Sequence, residues 1–234
     1  MNSKLKFTAE DVYNKLIDDG IFDEQGKITF SFAGINVDID TNDIVGNIMQ
    51  AWLKAWFLDN NILFGEPEDT QKFPDFYLNP YNLETDLLEV KAFNFDNSPA
   101  FDIANFESYC ESVVSKPYRF HAKYLIFGYR MVGTTVTIEG LWLKNIWEIT
   151  SYMQEFPLTV QNKRGMIYNI RPTKWYSLTA RARRPFNTLE EFIIACYKSL
   201  YQYDKSRIDA NDWINSVIYN YNSYYVEPLN IVQN

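Results

Sequence analysis

A short turn between two strand-like runs fixes the topology at the centre of this chain. Phe76-Tyr77-Leu78 is apolar, Asn79 to Thr85 carries Pro80, two Asn and a Glu, and Asp86 to Phe93 reads as a second strand. Strands joined so closely are antiparallel neighbours. Along the second, the period of two puts Glu89 and Lys91 on one face while Leu88, Val90 and Ala92 point to the other. Asp75, preceded by Pro74 at the near end of the first run, then sits beside Glu89.

Two carboxylates a few ångströms apart repel unless a cation bridges them or one is protonated. The arrangement therefore implies a hard divalent cation such as Mg²⁺, or one acid kept neutral. Lys91 beside such a cation would orient or deprotonate an attacking water and balance charge building on a phosphorane. Pro74-Asp75 is the only Pro-Asp in the 234 residues and Glu89-Val90-Lys91 the only Asp/Glu-x-Lys, and both fall on strand-like segments. The plainer reading is a turn proline with a capping aspartate, plus a Glu and a Lys on a solvated strand face.

These residues have the form PD…(D/E)XK, and the chain resembles type II restriction endonucleases of that superfamily. Gly20-Ile21-Phe22, Gly26-Lys27-Ile28, a hairpin, the helix Ile44 to Leu58 and Phe73-Pro74-Asp75-Phe76 follow one another much as in the EcoRV-like branch. Leu88 to Phe93, Tyr124 to Tyr129 and Ile167 to Pro172 look similar to its NgoBV/NlaIV-like group. The resemblance implies an α/β fold with a mixed central sheet flanked by helices. It implies a Mg²⁺-dependent homodimer cutting palindromic double-stranded DNA, with GGNNCC-type sites associated with the group. Asp75, Glu89 and the Val90 carbonyl would hold the metal, and Lys91 would assist the water. In one place the chain departs from the pattern: the branch carries a further glutamate on the helix before the core, where the best match is Gln50. Glutamine can hold a water or a phosphate oxygen but brings no negative charge, so a second metal would bind weakly or not at all. Asp43 and Asn47 are the alternatives on that helix.

A net charge of −8 looks wrong for binding a polyanion. The distribution removes the objection. Residues 1–111 hold 21 acids and 7 Lys/Arg, net −14, whereas residues 112–234 hold 9 acids and 15 Lys/Arg, net +6. Residues 156–189 contain no acid and seven cations, namely Lys163, Arg164, Arg171, Lys174, Arg181, Arg183 and Arg184, interleaved with Tyr168, Trp175 and Tyr176. An acid-free basic stretch suits a DNA-facing segment, where phosphates fix position and Arg reads guanine edges. Neutralising the acidic half, within the fold or across a dimer, is the competing use. Asn94, Asn97 and Ser98 follow the motif strand and could reach a groove or the scissile phosphate; they also serve as ordinary loop residues.

Other classes find little support. Met1 to Lys6 lacks the apolar core of a signal peptide and no run approaches a membrane span, so a cytoplasmic protein is expected. Cys110 and Cys196 have no metal spacing and read as buried reduced thiols. His121, the single histidine, has no partner for a zinc site or a catalytic triad and reads as a packing or surface residue. A module of the same fold that binds nucleic acid or protein without catalysis, or a DNA repair nuclease, remain the alternatives.

The remaining pattern is one α/β layer system without a linker, hence a single domain over 1–234. Thr8-Ala9-Glu10-Asp11 caps a helix to about Asp18, Ala33-Gly34 joins two hairpin strands, and Thr41 or Asn42 caps the next helix. Helices are expected from about Ala100 to Val114, Asn145 to Tyr152, Asn187 to Tyr203 and Asp209 to Tyr221. Strands are expected at Tyr124 to Arg130, Thr134 to Leu143 and Met166 to Ile170. Aromatics reach 17% and crowd the C-terminal helices, which suits either a dimer surface or a core.

Overall fold

The computed structural model describes residues 4–41, 44–69, 72–179 and 182–231. In chain order its elements begin with α1 (Ala9–Asp18), β1 (Gln25–Phe32), β2 (Ile35–Ile39), α2 (Val45–Asp59), β3 (Phe76–Tyr77), β4 (Leu87–Asn94) and β5 (Ala104–Asn105). They continue with α3 (Phe106–Ser115), β6 (Lys123–Val132), β7 (Thr135–Lys144), β8 (Val160–Lys163), β9 (Met166–Ile170), α4 (Leu189–Gln202) and α5 (Ala210–Tyr224). By its contacts the chain forms two compact units, Met1–Pro99 with Ala122–Lys144, and Ala100–His121 with Asn145–Asn234.

The first unit is built on a six-stranded sheet in the order β2-β1-β7-β6-β4-β3. The β4–β6 pair is parallel and the other pairs are antiparallel, so the sheet is mixed as expected. Leu88 and Val90 of β4 and Leu125 and Phe127 of β6 face a core closed by two helices. In α1, Thr8 accepts from the Asp11 N–H while the Asp11 carboxylate accepts from the Thr8 N–H, satisfying two otherwise orphan donors. Buried Val12 and Leu16 then recur at helical spacing. In α2 the buried stripe is Val45, Met49, Leu53 and Phe57, four residues apart. Among the described residues no side chain caps its first turn, so Thr41 does not play that part; Asn42 and Asp43 lie outside them. Ala33 and Gly34 turn the β1–β2 hairpin with φ of 49° and 80°, the left-handed values a tight two-residue loop demands.

The second unit packs α3, α4 and α5 with a three-stranded antiparallel sheet in the order β5-β9-β8. Asn105, Thr188 and Asp209 cap the three helices through their side chains. Cys110 and Cys196 are both buried free thiols, and burial pushes Cys110 up from its ordinary range. His121 Nε2 lies 2.8 Å from the Tyr221 hydroxyl, and its ring packs against Trp147, Tyr221 and Tyr225. It is a packing residue.

Three expectations need correction. Residues 100–105 do not begin α3: the Ile103 N–H donates to the Ile170 carbonyl and Ala104 pairs with Ile170, so the segment is extended until Asn105 caps the helix. The helix expected at Asn145 to Tyr152 is one 3₁₀ turn, Ile146–Ile149, closed at its start by Asn145 and Glu148. Strand β8, unanticipated, pairs with β9 across a turn made by Arg164 and Gly165. No helix among the described residues is long and apolar enough to cross a membrane.

Candidate active site

The register Phe76↔Leu88 and Tyr77↔Leu87 places Asp75, one residue earlier, directly across from Glu89. Phe76 anchors this end of the strand. Its ring is fully buried and meets Phe57 and Phe64 edge-on, at 5.2 Å and 5.7 Å between centroids. Alternation along β4 then turns Glu89 and Lys91 away from the Leu88 and Val90 core.

The three charged side chains meet. The Asp75 N–H donates to Glu89 Oε2 at 3.2 Å, the Val90 N–H donates to Asp75 Oδ2 at 2.7 Å, and Lys91 Nζ donates to Glu89 Oε1 at 2.8 Å. Gln50 completes the group from α2, its Nε2 donating to Asp75 Oδ1 at 2.8 Å. It lies one residue past Met49, on the flank of the buried stripe, which aims it at the strand end. The Gln50 alignment thus finds a direct partner, whereas Asn47 is exposed and Asp43 lies outside the described residues.

Glu89 is the only charged side chain buried among the described residues, at 7% exposure. Burial raises its pKa, and nearby Asp75 adds to the rise against the opposing pull of Lys91. Burial likewise raises Asp75, opposed by the Val90 N–H and Lys91. The pair is short of positive charge. No group of three or more His, Cys, Asp or Glu gathers among the described residues. Two carboxylates still fit a Mg²⁺-type ion, which takes hard oxygen donors and is commonly held by one or two carboxylates with water and substrate phosphate.

Phe93 follows Glu89 and Lys91 on the same face of β4 and stacks on Trp142, 5.8 Å away, as does Phe95 at 6.1 Å. The indole lies in a recess made by Gly128 and Gly140, which pair across β6 and β7. A Cβ on Gly140 would lie 2.2 Å from the ring. Sequence reasoning missed this aromatic floor. Its one signal was a glycine near the middle of each of two neighbouring strand-like runs.

The basic segment behaves unevenly. Lys163, Arg164, Lys174, Arg183 and Arg184 are exposed. Lys163 lies over the Tyr168 ring and Lys174 over that of Tyr176. Arg171 is engaged internally, bridging to Asp102 at 2.9 Å and donating to the Ala100 carbonyl. Arg181 lies outside the described residues. Asn94 ends β4, and its Oδ1 accepts from the Asp96 N–H at 3.0 Å, a turn-forming role.

Comparison with known proteins adds to this geometry. The family model described as NgoBV restriction endonuclease matches residues 6–234. The type II restriction enzyme NlaIV of Neisseria lactamica is 38% identical over 229 residues, covering 97% of this chain and 94% of that protein. The type II restriction enzyme NgoBV of Neisseria gonorrhoeae is 36% identical over 163 residues, covering 69% and 93%. Among solved structures, the NlaIV restriction endonuclease superposes with a TM-score of 0.94 at 36% identity, over 100% of this chain and 96% of that one.

Proposed function

The chain belongs to the NgoBV restriction endonuclease family, and from that membership we propose that it is a type II restriction enzyme, a Mg²⁺-dependent homodimer that cuts palindromic double-stranded DNA at a GGNNCC-type site. The observation that carries the proposal is the contact of Asp75 with Glu89 and of Glu89 with Lys91 on adjacent strands. A buried carboxylate beside a half-buried one, with one ammonium, is a costly arrangement for stability alone. It suits a site whose remaining charge arrives with cation and substrate.

Asp75 and Glu89, with the Val90 carbonyl, would hold Mg²⁺, which when bound supplies Lewis-acid charge beside the scissile phosphate. Gln50 fixes the Asp75 carboxylate through Oδ1 and the Val90 N–H fixes it through Oδ2, so its orientation is set before substrate arrives. Lys91, 20% exposed and tethered to Glu89, orients the attacking water and offsets charge accumulating on the phosphorus oxygens. In-line attack leaves a 5′-phosphate and a 3′-hydroxyl. Exposed Lys163, Arg164, Lys174, Arg183 and Arg184 supply phosphate contacts, with Arg the better reader of guanine.

The test is digestion of phage DNA by the purified protein with Mg²⁺, followed by sequencing of the fragment ends. Discrete fragments sharing one palindromic end sequence are expected. Asp75→Ala should keep DNA binding in a mobility-shift assay and lose cleavage. Appreciable cutting by that variant would count against the assignment.

A further inference from the structure

Thr173 and Phe186 are brought to one place in the second unit. The Thr173 N–H donates to the Ile149 carbonyl at 2.8 Å, the Phe186 N–H donates to the Thr150 carbonyl at 3.1 Å, and Ser151 bridges to Pro185. Thr173 Oγ1 joins the two sides by donating to the Arg183 carbonyl at 3.4 Å. Beyond this neck the half-buried Trp175 packs against Phe101, 6.2 Å between centroids, and meets Tyr176 edge-on at 5.4 Å. The Ser177 N–H then donates back to the Lys174 carbonyl, turning the chain past these inward-packed rings. Leu178 comes next and is fully exposed.

A lone exposed leucine is ordinary on a protein surface. The setting of this one is not. In sequence it lies between Lys174 and the Arg183-Arg184 pair, all three exposed, in the stretch 156–189 that holds no acid. The Lys174 ammonium is steadied over the Tyr176 ring, 5.5 Å from its centroid. We propose that Leu178 is a wedge that enters duplex DNA between two base pairs while these cations hold the flanking phosphates. The proposal rests on the DNA-cutting function above and adds a side chain that deforms the duplex instead of reading a base edge. Leucine is among the apolar side chains that unstack a base step from the minor groove and kink the helix. Such a wedge must be exposed before binding, carried on a fixed neck and surrounded by positive charge, and Leu178 meets all three conditions. A protein-docking patch would instead gather several apolar side chains at its centre and keep charge to the rim. Among the described residues Leu178 is the single exposed large apolar side chain between Tyr168 and Tyr201. The wedge would favour steps that unstack cheaply, such as TA and CA, giving a preference at positions that no side chain contacts.

Fluorescence of 2-aminopurine, which rises when the base loses its stacked neighbours, tests the proposal. Duplexes carrying the cut site read from the fragment ends, or GGNNCC if there are none, each hold one 2-aminopurine within the site or its flanks. They are bound with Ca²⁺ in place of Mg²⁺. The wild type should brighten one step. Leu178→Ser should abolish that rise and raise the Kd for the duplex about ten- to a hundredfold, while Leu178→Met, long and apolar, should restore most of both. Val226→Ser, equally exposed but outside the basic stretch, should change neither. All three variants should keep the wild-type Tm, since neither side chain is buried. A wild-type complex that brightens nowhere, or a Leu178→Ser complex that brightens like the wild type, overturns the proposal. Brightening that depends on Leu178 in a protein that cuts no DNA with Mg²⁺ would sink the nuclease reading and leave the wedge standing. Discrete cutting with no such brightening would do the reverse.

Discussion

Gln50 stands where a third acid would complete a denser carboxylate cluster, and it donates to Asp75 without adding charge. In the proposed mechanism it would act through Asp75, as a positioning residue. Removing such a partner typically costs ten- to a hundredfold in metal affinity or activity. Gln50→Ala should therefore slow single-turnover cleavage by about that factor and weaken Mn²⁺ binding in calorimetry. Gln50→Glu should tighten Mn²⁺ binding, because it adds a negative oxygen donor beside Asp75. Equal Mn²⁺ affinity in all three proteins would remove Gln50 from the site. Asp75, Glu89 and Lys91 were legible because strand alternation and a short turn bring them together by local geometry alone. Gln50 was legible only by alignment, since twenty-five residues separate it from Asp75 and no local pattern encodes the contact.

Elements whose stability is written in neighbouring residues were read well. Thr8 and Asp209 each announced a helix, the one expected from Asn187 is capped one residue later by Thr188, and Ala33-Gly34 announced a hairpin. Strands β5 and β8 were not, being two and four residues long and held by β9, which is distant in sequence from β5. The start of α3 was misplaced for the same reason: residues 100–105 are committed to β9 by a backbone bond that their composition does not foretell. The β6–β7 pair was expected, yet its glycines carried information that alternation could not supply. Gly128 and Gly140 make room for Trp142, and a methyl on Gly140 would collide with the indole. Gly140→Ala should cost about 1–3 kcal/mol through overpacking, read as a fall in Tm of several degrees, and should slow cleavage by disturbing the floor beside Lys91. An unchanged Tm would mean that the ring moves aside freely.

Across the whole molecule two asymmetries matter. The chain enters and leaves each compact unit instead of passing through a linker, which is why composition showed no boundary. Charge divides as well: the acids crowd the first half, and two of them, Asp75 and Glu89, meet at the site. That concentration links folding to pH. Burial raises the pKa values of Asp75 and Glu89, so the folded protein holds these protons more tightly than the unfolded chain does. The stabilisation is fully present below the unfolded carboxylate value of about 4 and is lost as pH rises through the raised values. The contribution of this pair to the stability of the metal-free protein should thus fall as pH rises above the ordinary carboxylate range, while a bound divalent cation, favoured by the ionised acids, should restore it most where both are ionised. Glu89→Gln removes the more deeply buried acid. It should flatten the pH dependence of Tm, raise alkaline stability by about 0.5–2 kcal/mol and abolish the gain from Ca²⁺. Scanning calorimetry of both proteins, with and without Ca²⁺ across that range, checks each part. A wild-type Tm whose dependence on pH matches that of Glu89→Gln would mean that the pair is neutralised from within, and that its charge is not held open for a cation.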